Sequence, residues 1–181
     1  SRARERPIPL HLQKKGAPSP KPLRSDEFPR GLPSLSGTDL ARVTSANALY
    51  DFTVEVCEMC LLLGIGFSVE NPASALLWRF AGMIKLRRDG RTFAVEFDSC
   101  RQGGERQAHR RWLTNVASLL CLAITCDGKH LHMPWGFECS EGSWTFKTRE
   151  EAPYPELLCV RASEAVFEHA LSLGILELNG S

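Results

Sequence analysis

The stretch Ile-Gly-Phe-Ser-Val-Glu-Asn-Pro at residues 65–72 decides the predicted fold. Its first five residues are apolar and glycine-flanked, which predicts a short buried strand over residues 65–69. Asn71 can cap a helix, and Pro72 fits the first turn of one. A helix is therefore expected to follow, since apolar residues recur at helical spacing from Ala73 to Ile84.

The segments on either side continue an alternation of helix and strand. Upstream, apolar residues recur at steps of three and four from Leu40 to Leu61, and Gly64 is a natural helix stop. Downstream, residues 92–97 alternate as a strand does. Helix, strand, helix and strand in this order predict an α/β sheet with parallel strands. Four further elements are expected: a strand and a helix within residues 112–126, a short strand at 144–147 and a C-terminal helix over 150–173.

Charge and proline divide the chain of 181 residues into two parts. Residues 1–37 hold seven of the eleven prolines and eight of the 22 basic residues, against three of the 21 acidic ones. We therefore expect a basic, proline-rich arm or linker over 1–37 that packs loosely, followed by an α/β domain over 38–181.

The composition excludes several classes of protein. The net charge of +1 argues against a wholly basic nucleic-acid coat. No apolar run is long enough to span a membrane, and the N-terminal residues have no apolar signal region. Seven cysteines, an odd number, indicate free and mostly buried thiols in a reducing compartment. These features predict an intracellular protein.

Two segments after predicted strands carry polar side chains suited to chemistry. Glu70 lies at a strand end beside an expected helix start, where ligands bind in open α/β sheets. Its alternative role is to accept the free N–H groups of that helix. The second segment, residues 100–111, contains four arginines and a Gly-Gly pair, and guanidinium groups pair well with phosphate. The alternative for this segment is a solvated surface turn. The four arginines are Arg101, Arg106, Arg110 and Arg111.

Sulfur and imidazole ligands also occur together further along the chain. Cys126, His130 and His132 are candidate zinc ligands, with Cys121 before them and Cys139 after them. The spacing matches no common zinc finger, and Cys121 lies in an apolar run typical of core. We therefore expect no metal site from the sequence.

Cys57 and Cys60 fall inside a predicted helix and are expected to be core residues.

Taken together, these segments resemble cytosine-5 DNA methyltransferases of the divergent phage and mobile-element type. Residues 67–72, Phe-Ser-Val-Glu-Asn-Pro, resemble motif VI, and residues 97–115 resemble the region of motif VIII. The chain is also similar to methyltransferase-like segments of mobile-element polyproteins, for example in His-x-Pro-Trp-Gly at 132–136 and Tyr-Pro-x-x-Leu-Cys at 154–159. The resemblance covers roughly residues 22–160 and the C-terminal part of such a domain.

The resemblance implies a fold, a cofactor and roles for individual residues. It implies a partial Rossmann-like methyltransferase sheet with helices on both faces, S-adenosylmethionine as methyl donor and DNA as partner. Glu70 would hydrogen-bond a cytosine flipped out of the stack and help to activate it, and Asn71 and Pro72 complete the set of candidate catalytic residues. Arg106, Arg110 and Arg111 are candidates for the basic residues of motif VIII, and Arg101 is a further nucleic-acid-binding candidate.

The sequence departs from that family in two places. No cysteine precedes Cys57, and residues 22–25, Pro-Leu-Arg-Ser, offer no thiol where the Pro-Cys nucleophile is expected. The Gly-rich cofactor loop is also missing. Either the chain starts downstream of both or the site is degenerate, so we predict no methyl transfer by this chain without an upstream half. Two alternatives stay open: a non-catalytic nucleic-acid-binding module of a mobile-element polyprotein, and a small α/β domain in which Glu-Asn-Pro is a helix cap.

Overall fold

The computed structural model describes residues 10–17, 21–140, 143–146 and 153–175. Three short 3-10 helices accompany the helices and strands, at Leu76–Arg79, Ser99–Gln102 and Ala117–Leu122. In chain order the helices and strands are α1 (Leu10–Gln13), α2 (Gly37–Leu63), β1 (Ser68–Pro72), α3 (Ala81–Arg88), β2 (Phe93–Asp98), β3 (His109–Thr114), β4 (Phe137–Ser140), β5 (Ser143–Phe146) and α4 (Glu156–Ser172).

The central sheet has three strands in the order β1–β3–β2, and β3 is antiparallel to both neighbours. β1 and β2 therefore run in the same direction with β3 inserted between them. The prediction of parallel neighbouring strands is wrong. A parallel crossover needs a dozen or more residues and usually a helix, whereas residues 99–108 are a short connection that returns the chain directly. A second, two-stranded antiparallel sheet pairs β4 with β5.

Each face of the central sheet is covered by its own core, because successive side chains of a strand point to opposite faces. On one face Leu113 packs with residues of α2 and α3, among them Cys57 and Met83. On the other face Phe97 and Trp112 pack with the 3-10 helix at Ala117–Leu122 and with α4. Helices therefore lie on both faces of the sheet, as expected.

The first predicted helix is confirmed, but the strand after it is displaced. α2 ends at Gly64, which adopts a left-handed φ of 67°. β1 begins later than predicted and includes Glu70, Asn71 and Pro72, so the prediction that Asn71 caps a helix is wrong. The carbonyl of Pro72 accepts the Ala75 N–H and the Trp78 side-chain N–H, and this turns the chain before α3 can start.

The later elements follow the predictions more closely. β2 matches the strand expected over 92–97, and β5 matches the short strand near 144–147. α4 confirms the C-terminal helix and begins directly after Pro155. Within residues 112–126 the strand ends at Thr114, and the helix is a 3-10 helix.

Part of the basic arm is anchored on the domain. Leu23 and Leu35 are buried against Val43 of α2, and Arg24 is 1% exposed. Loose packing is therefore wrong for residues 21–37, because these side chains bury against the helix. Residues 1–9 and 18–20 lie outside the described residues.

The cysteines and the helices bear on two further expectations. All six cysteines described with their side chains are free; of these Cys57 is buried, whereas Cys121 and Cys159 are exposed. The prediction that Cys121 is a core residue is wrong, since it lies on the outer side of its 3-10 helix.

In the described part of the chain, no helix combines the length and the apolar composition needed to cross a membrane.

The contact between α2 and α3 depends on Gly82. A Cβ built on Gly82 would lie 2.6 Å from Cγ1 of Val54, closer than such contacts allow. We therefore expect Gly82→Ala to lower the free energy of unfolding by about 1–3 kcal/mol through overpacking. Urea denaturation followed by circular dichroism measures this loss. Gly90→Ala is the control and should be close to neutral, because nothing lies within 4 Å of its Cβ position.

Candidate functional site

Glu70 lies within β1 and is held by two side chains from other parts of the chain. Nη1 of Arg110 in β3 is 3.2 Å from its Oε1, and the Tyr154 hydroxyl donates to its Oε2 at 3.1 Å. The side chains of Glu70 and Arg110 are only 18% and 17% exposed. Because Glu70 lies opposite Trp112 and Pro72 lies opposite Arg110, the alternation of both strands brings the two charged side chains to one face.

Tyr154 precedes α4 and closes one side of this group, which we call the Glu70 cluster (Glu70, Arg110 and Tyr154). Its ring contacts the Trp112 ring edge-on, with the ring centroids 6.5 Å apart. Burial and the neighbouring Glu70 carboxylate raise the pKa of Tyr154, so the phenol stays protonated and donates its hydrogen bond. Tyr154 itself is 50% exposed.

A second acid–arginine pair occupies the opposite face of the sheet. Nε of Arg111 donates to Oε1 of Glu96 at 2.7 Å, and the Arg111 guanidinium lies over the Trp78 ring, 5.5 Å from its centroid. Burial tends to raise the pKa of Glu96, but the hydrogen bonds from Arg111 and His109 outweigh it and lower this pKa. Arg110 and Arg111, adjacent in sequence, therefore serve different faces.

The other two arginines are not part of the Glu70 cluster. Arg106 is 2% exposed, donates from Nε to the Pro134 carbonyl at 3.4 Å and lies over the Trp135 ring. Arg101 is exposed and lies 3.9 Å from the Asp127 carboxylate. The four arginines predicted to bind nucleic acid therefore do not form one continuous basic surface, and Arg110 alone of them pairs with Glu70.

Asn71 and Pro72 shape the backbone around Glu70. The Asn71 side-chain amide donates to the Glu70 carbonyl, and the Pro72 carbonyl accepts the Trp78 N–H at 2.9 Å. Both residues therefore have local structural partners in β1 and in the turn that follows.

A separate open concavity of about 960 Å³ lies between residues 21–23 and the start of α2, and Glu70 does not line it.

A group of metal-ligating side chains lies just beyond the carboxyl end of β2. The ligand atoms of Cys100, Cys126, His130 and His132 all lie within 4.8 Å of one another. Three of these residues are the zinc candidates of the sequence. Cys100 could not be predicted from its spacing, because a strand and a 3-10 helix separate it from Cys126. Its position directly after a predicted strand is the only feature of the sequence that indicates a role for it.

Comparison with protein-family models, curated proteins and solved structures finds no match for this chain.

Proposed function

We propose that this chain is the base-binding, C-terminal part of a DNA cytosine-5 methyltransferase-like domain. Glu70 and Arg110 contact the target cytosine, and Tyr154 lies beside it. The observation that carries the proposal is the half-buried pair of Glu70 and Arg110, which projects from neighbouring strands on the face that Tyr154 borders.

The chemistry of this pair is complementary to one edge of cytosine. That edge presents an amino donor next to ring-nitrogen and carbonyl acceptors. The Glu70 carboxylate accepts from the amino group, and the Arg110 guanidinium donates to the carbonyl oxygen. Thymine has a carbonyl in place of the amino group and would set its oxygen against the carboxylate. The pair therefore discriminates between the two pyrimidines.

The residues around the pair suit a flipped base. A base leaves the stack to reach such a pocket, and an aromatic side chain at the rim compensates for part of the stacking it loses. Tyr154 is half exposed and donates to Oε2 of Glu70. Binding of cytosine would replace this hydrogen bond with one from the amino group of the base.

The order of the three strands also supports the proposal. A Rossmann-like methyltransferase sheet ends in a strand that is inserted antiparallel between the two strands before it. β3 has this position between β1 and β2. Within the described part of the chain, β1 has a neighbouring strand on one side, so its other edge is open to a further strand.

α2 has an apolar outer surface that fits a larger domain. Its exposed apolar residues recur at steps of three and four, the spacing of one helix face. In the proposed domain this surface packs against the upstream part. The exposed residues that share this spacing are Leu49, Phe52, Val56, Met59 and Leu63.

Methyl transfer needs a cysteine thiolate and a loop for S-adenosylmethionine in addition to the Glu70 cluster. The resemblance implies a cysteine thiolate near residues 22–25, but these residues include no cysteine. Arg24, within this stretch, is buried and donates hydrogen bonds to the Pro29 carbonyl and to Asn47. We therefore assign base recognition to these residues and leave the chemical step to a thiolate from elsewhere in the domain.

A general nucleic-acid-binding module receives less support from the contacts. Phosphate binding needs guanidinium groups that are free to face DNA. Arg110 and Arg111 are each paired with a glutamate, Arg101 lies near Asp127, and Arg106 is buried. Pairing and burial withdraw most of this positive charge from the surface.

The test is base-selective binding by the chain itself. Fluorescence anisotropy compares a labelled DNA duplex that carries one unpaired cytosine with a matched duplex that carries one unpaired thymine. We expect the wild-type chain to bind the cytosine duplex about tenfold more tightly, equivalent to one good base-specific contact. Glu70→Gln should reduce this preference to about twofold or less, because the amide presents a donor as well as an acceptor.

Glu96→Gln is the matched control. It breaks an arginine–glutamate pair of the same kind on the opposite face of the sheet and should leave the preference unchanged. The proposal fails if the wild-type chain shows no preference for cytosine, or if both variants lose it equally.

A further inference from the structure

Four side chains from two separate segments converge beyond the end of β2. Cys100 lies in the 3-10 helix that follows β2, whereas Cys126, His130 and His132 belong to one loop. We call these four residues the Cys2His2 cluster. Its ligand atoms lie within 4.8 Å of one another, and Sγ of Cys126 is 3.8 Å from Nε2 of His130 and 3.4 Å from Nε2 of His132.

These separations fit a tetrahedral metal ion. Zinc bonds of the usual lengths to sulfur and nitrogen place neighbouring ligand atoms about 3.3–3.8 Å apart. The two sulfur–nitrogen distances from Cys126 lie within this range, and the other ligand atoms of the cluster are no more than 4.8 Å apart.

The surroundings of the ligands are those of a metal site. The Gly128 N–H donates to Sγ of Cys126 at 3.3 Å, which stabilises a thiolate. Nδ1 of His130 faces the Asp127 carboxylate at 3.8 Å, and its Nε2 is directed to Cys126. A carboxylate behind a histidine ligand orients the ring and increases its basicity. The Cys126 N–H donates to Oδ2 of the buried Asp98 at 2.7 Å and fixes the loop to β2.

Hydrogen bonds hold the two ends of this loop, from the Cys126 N–H to Asp98 and from the Met133 N–H to the Glu105 carbonyl, and the stretch between them carries the two histidines. Residues 123–136 contain neither helix nor strand, and Leu131 is 99% exposed, with Met133 and Trp135 also exposed. A loop of this length without secondary structure and with few buried apolar side chains gains stability from a cross-link to the rest of the chain. A metal ion bound by residues at both ends would supply it.

We propose that the Cys2His2 cluster binds one Zn²⁺ ion that fastens residues 126–132 to the end of β2. Two sulfur and two imidazole ligands in tetrahedral arrangement are typical of zinc. The chain supplies all four ligands, so no position is left for a water or a substrate, and the role of the ion is structural. Binding converts each cysteine S–H to a zinc-bound thiolate and releases one proton per thiol. This proposal does not rest on the proposed function.

The first test is the metal content of the full chain, purified without a histidine tag. Elemental analysis should find about one zinc per chain. Cys126→Ser and His132→Ala should lose it, whereas Cys121→Ser and Cys159→Ser should retain it, because both are exposed and lie outside the cluster. A folded wild-type chain without zinc after purification in zinc-containing buffer, or with Cys100 and Cys126 joined as a disulfide, overturns the proposal.

A second measurement, limited proteolysis of the wild-type chain, stays informative even if a cysteine variant fails to fold. Lys129 is exposed and lies between two of the ligands, so trypsin cleavage there reports on the order of the loop. Removal of zinc by a chelator should speed cleavage after Lys129 by about tenfold. Cleavage after the exposed Arg88 is the internal control and should not change. Equal rates at Lys129 with and without zinc would contradict the proposal.

Discussion

Replacement of Phe97 by alanine should lower the free energy of unfolding by about 3–5 kcal/mol. Phe97 is fully buried in β2, and its ring contacts the Trp112 ring edge-on at a centroid distance of 5.7 Å. It shares this core with Leu158 and Ala165 of α4. Its loss leaves a cavity beneath the helix that follows Tyr154. Urea denaturation monitored by tryptophan fluorescence measures the change.

Phe52→Ala is the control for Phe97. It removes the same ring from an exposed position on α2, so we expect a change within about 0.5 kcal/mol. Similar losses in both variants would mean that the core between β2 and α4 is not packed as described.

Arg24→Ala should lower the free energy of unfolding by about 3 kcal/mol. The guanidinium donates to the Pro29 carbonyl at 2.6 Å, to Oδ1 of Asn47 at 2.7 Å and to the Val43 carbonyl at 3.3 Å. Each hydrogen bond to a charged group contributes about 1.5–3 kcal/mol. The folded protein also bears a cost for desolvating the Arg24 charge, and the same burial lowers the pKa of Arg24. The alanine variant no longer bears this cost, which offsets part of the loss. Thermal and urea unfolding of the full chain measure the net effect.

Arg88→Ala is the comparison for Arg24. Arg88 is exposed at the end of α3, and its replacement should change stability by no more than about 0.5 kcal/mol. In addition, Arg24→Ala should expose residues 21–37 to protease, because Arg24 joins this segment to α2. An Arg24 variant as stable as Arg88→Ala would show that the segment is held by its apolar residues alone.

Both predictions concern features that the sequence indicates only in part. The alternation in residues 92–97 predicts that Phe97 lies in a strand, but not which helix covers it. Arg24 lies in a basic, proline-rich stretch whose composition is typical of a linker. It becomes a core residue because α2 presents Asn47 and the Val43 carbonyl to it, and composition carries no information about such partners.

The two candidate sites differ in how far they could be predicted. Glu70 and Arg110 both occur among the candidates from sequence, yet the choice of Arg110 over Arg111 depends on strand register. A shift of one residue would bring Arg111 to the face of Glu70 and turn Arg110 away. In the Cys2His2 cluster, three ligands belong to one short segment and are candidates from their residue types, although their spacing matches no common zinc finger. Cys100 joins them only because the chain returns past the end of β2 after residue 122.

The sequence by itself determined the local structure: the long helix that ends at Gly64, the strand at Phe93–Asp98 and the C-terminal helix after Pro155. These follow from side-chain periodicity and from the backbone preferences of glycine and proline, which act over a few residues. Only the tertiary structure decided that β3 lies between β1 and β2, that Glu70 meets Arg110, and that Cys100 meets Cys126. Each of these contacts joins distant segments, and its geometry depends on strand register and on which apolar faces pack together.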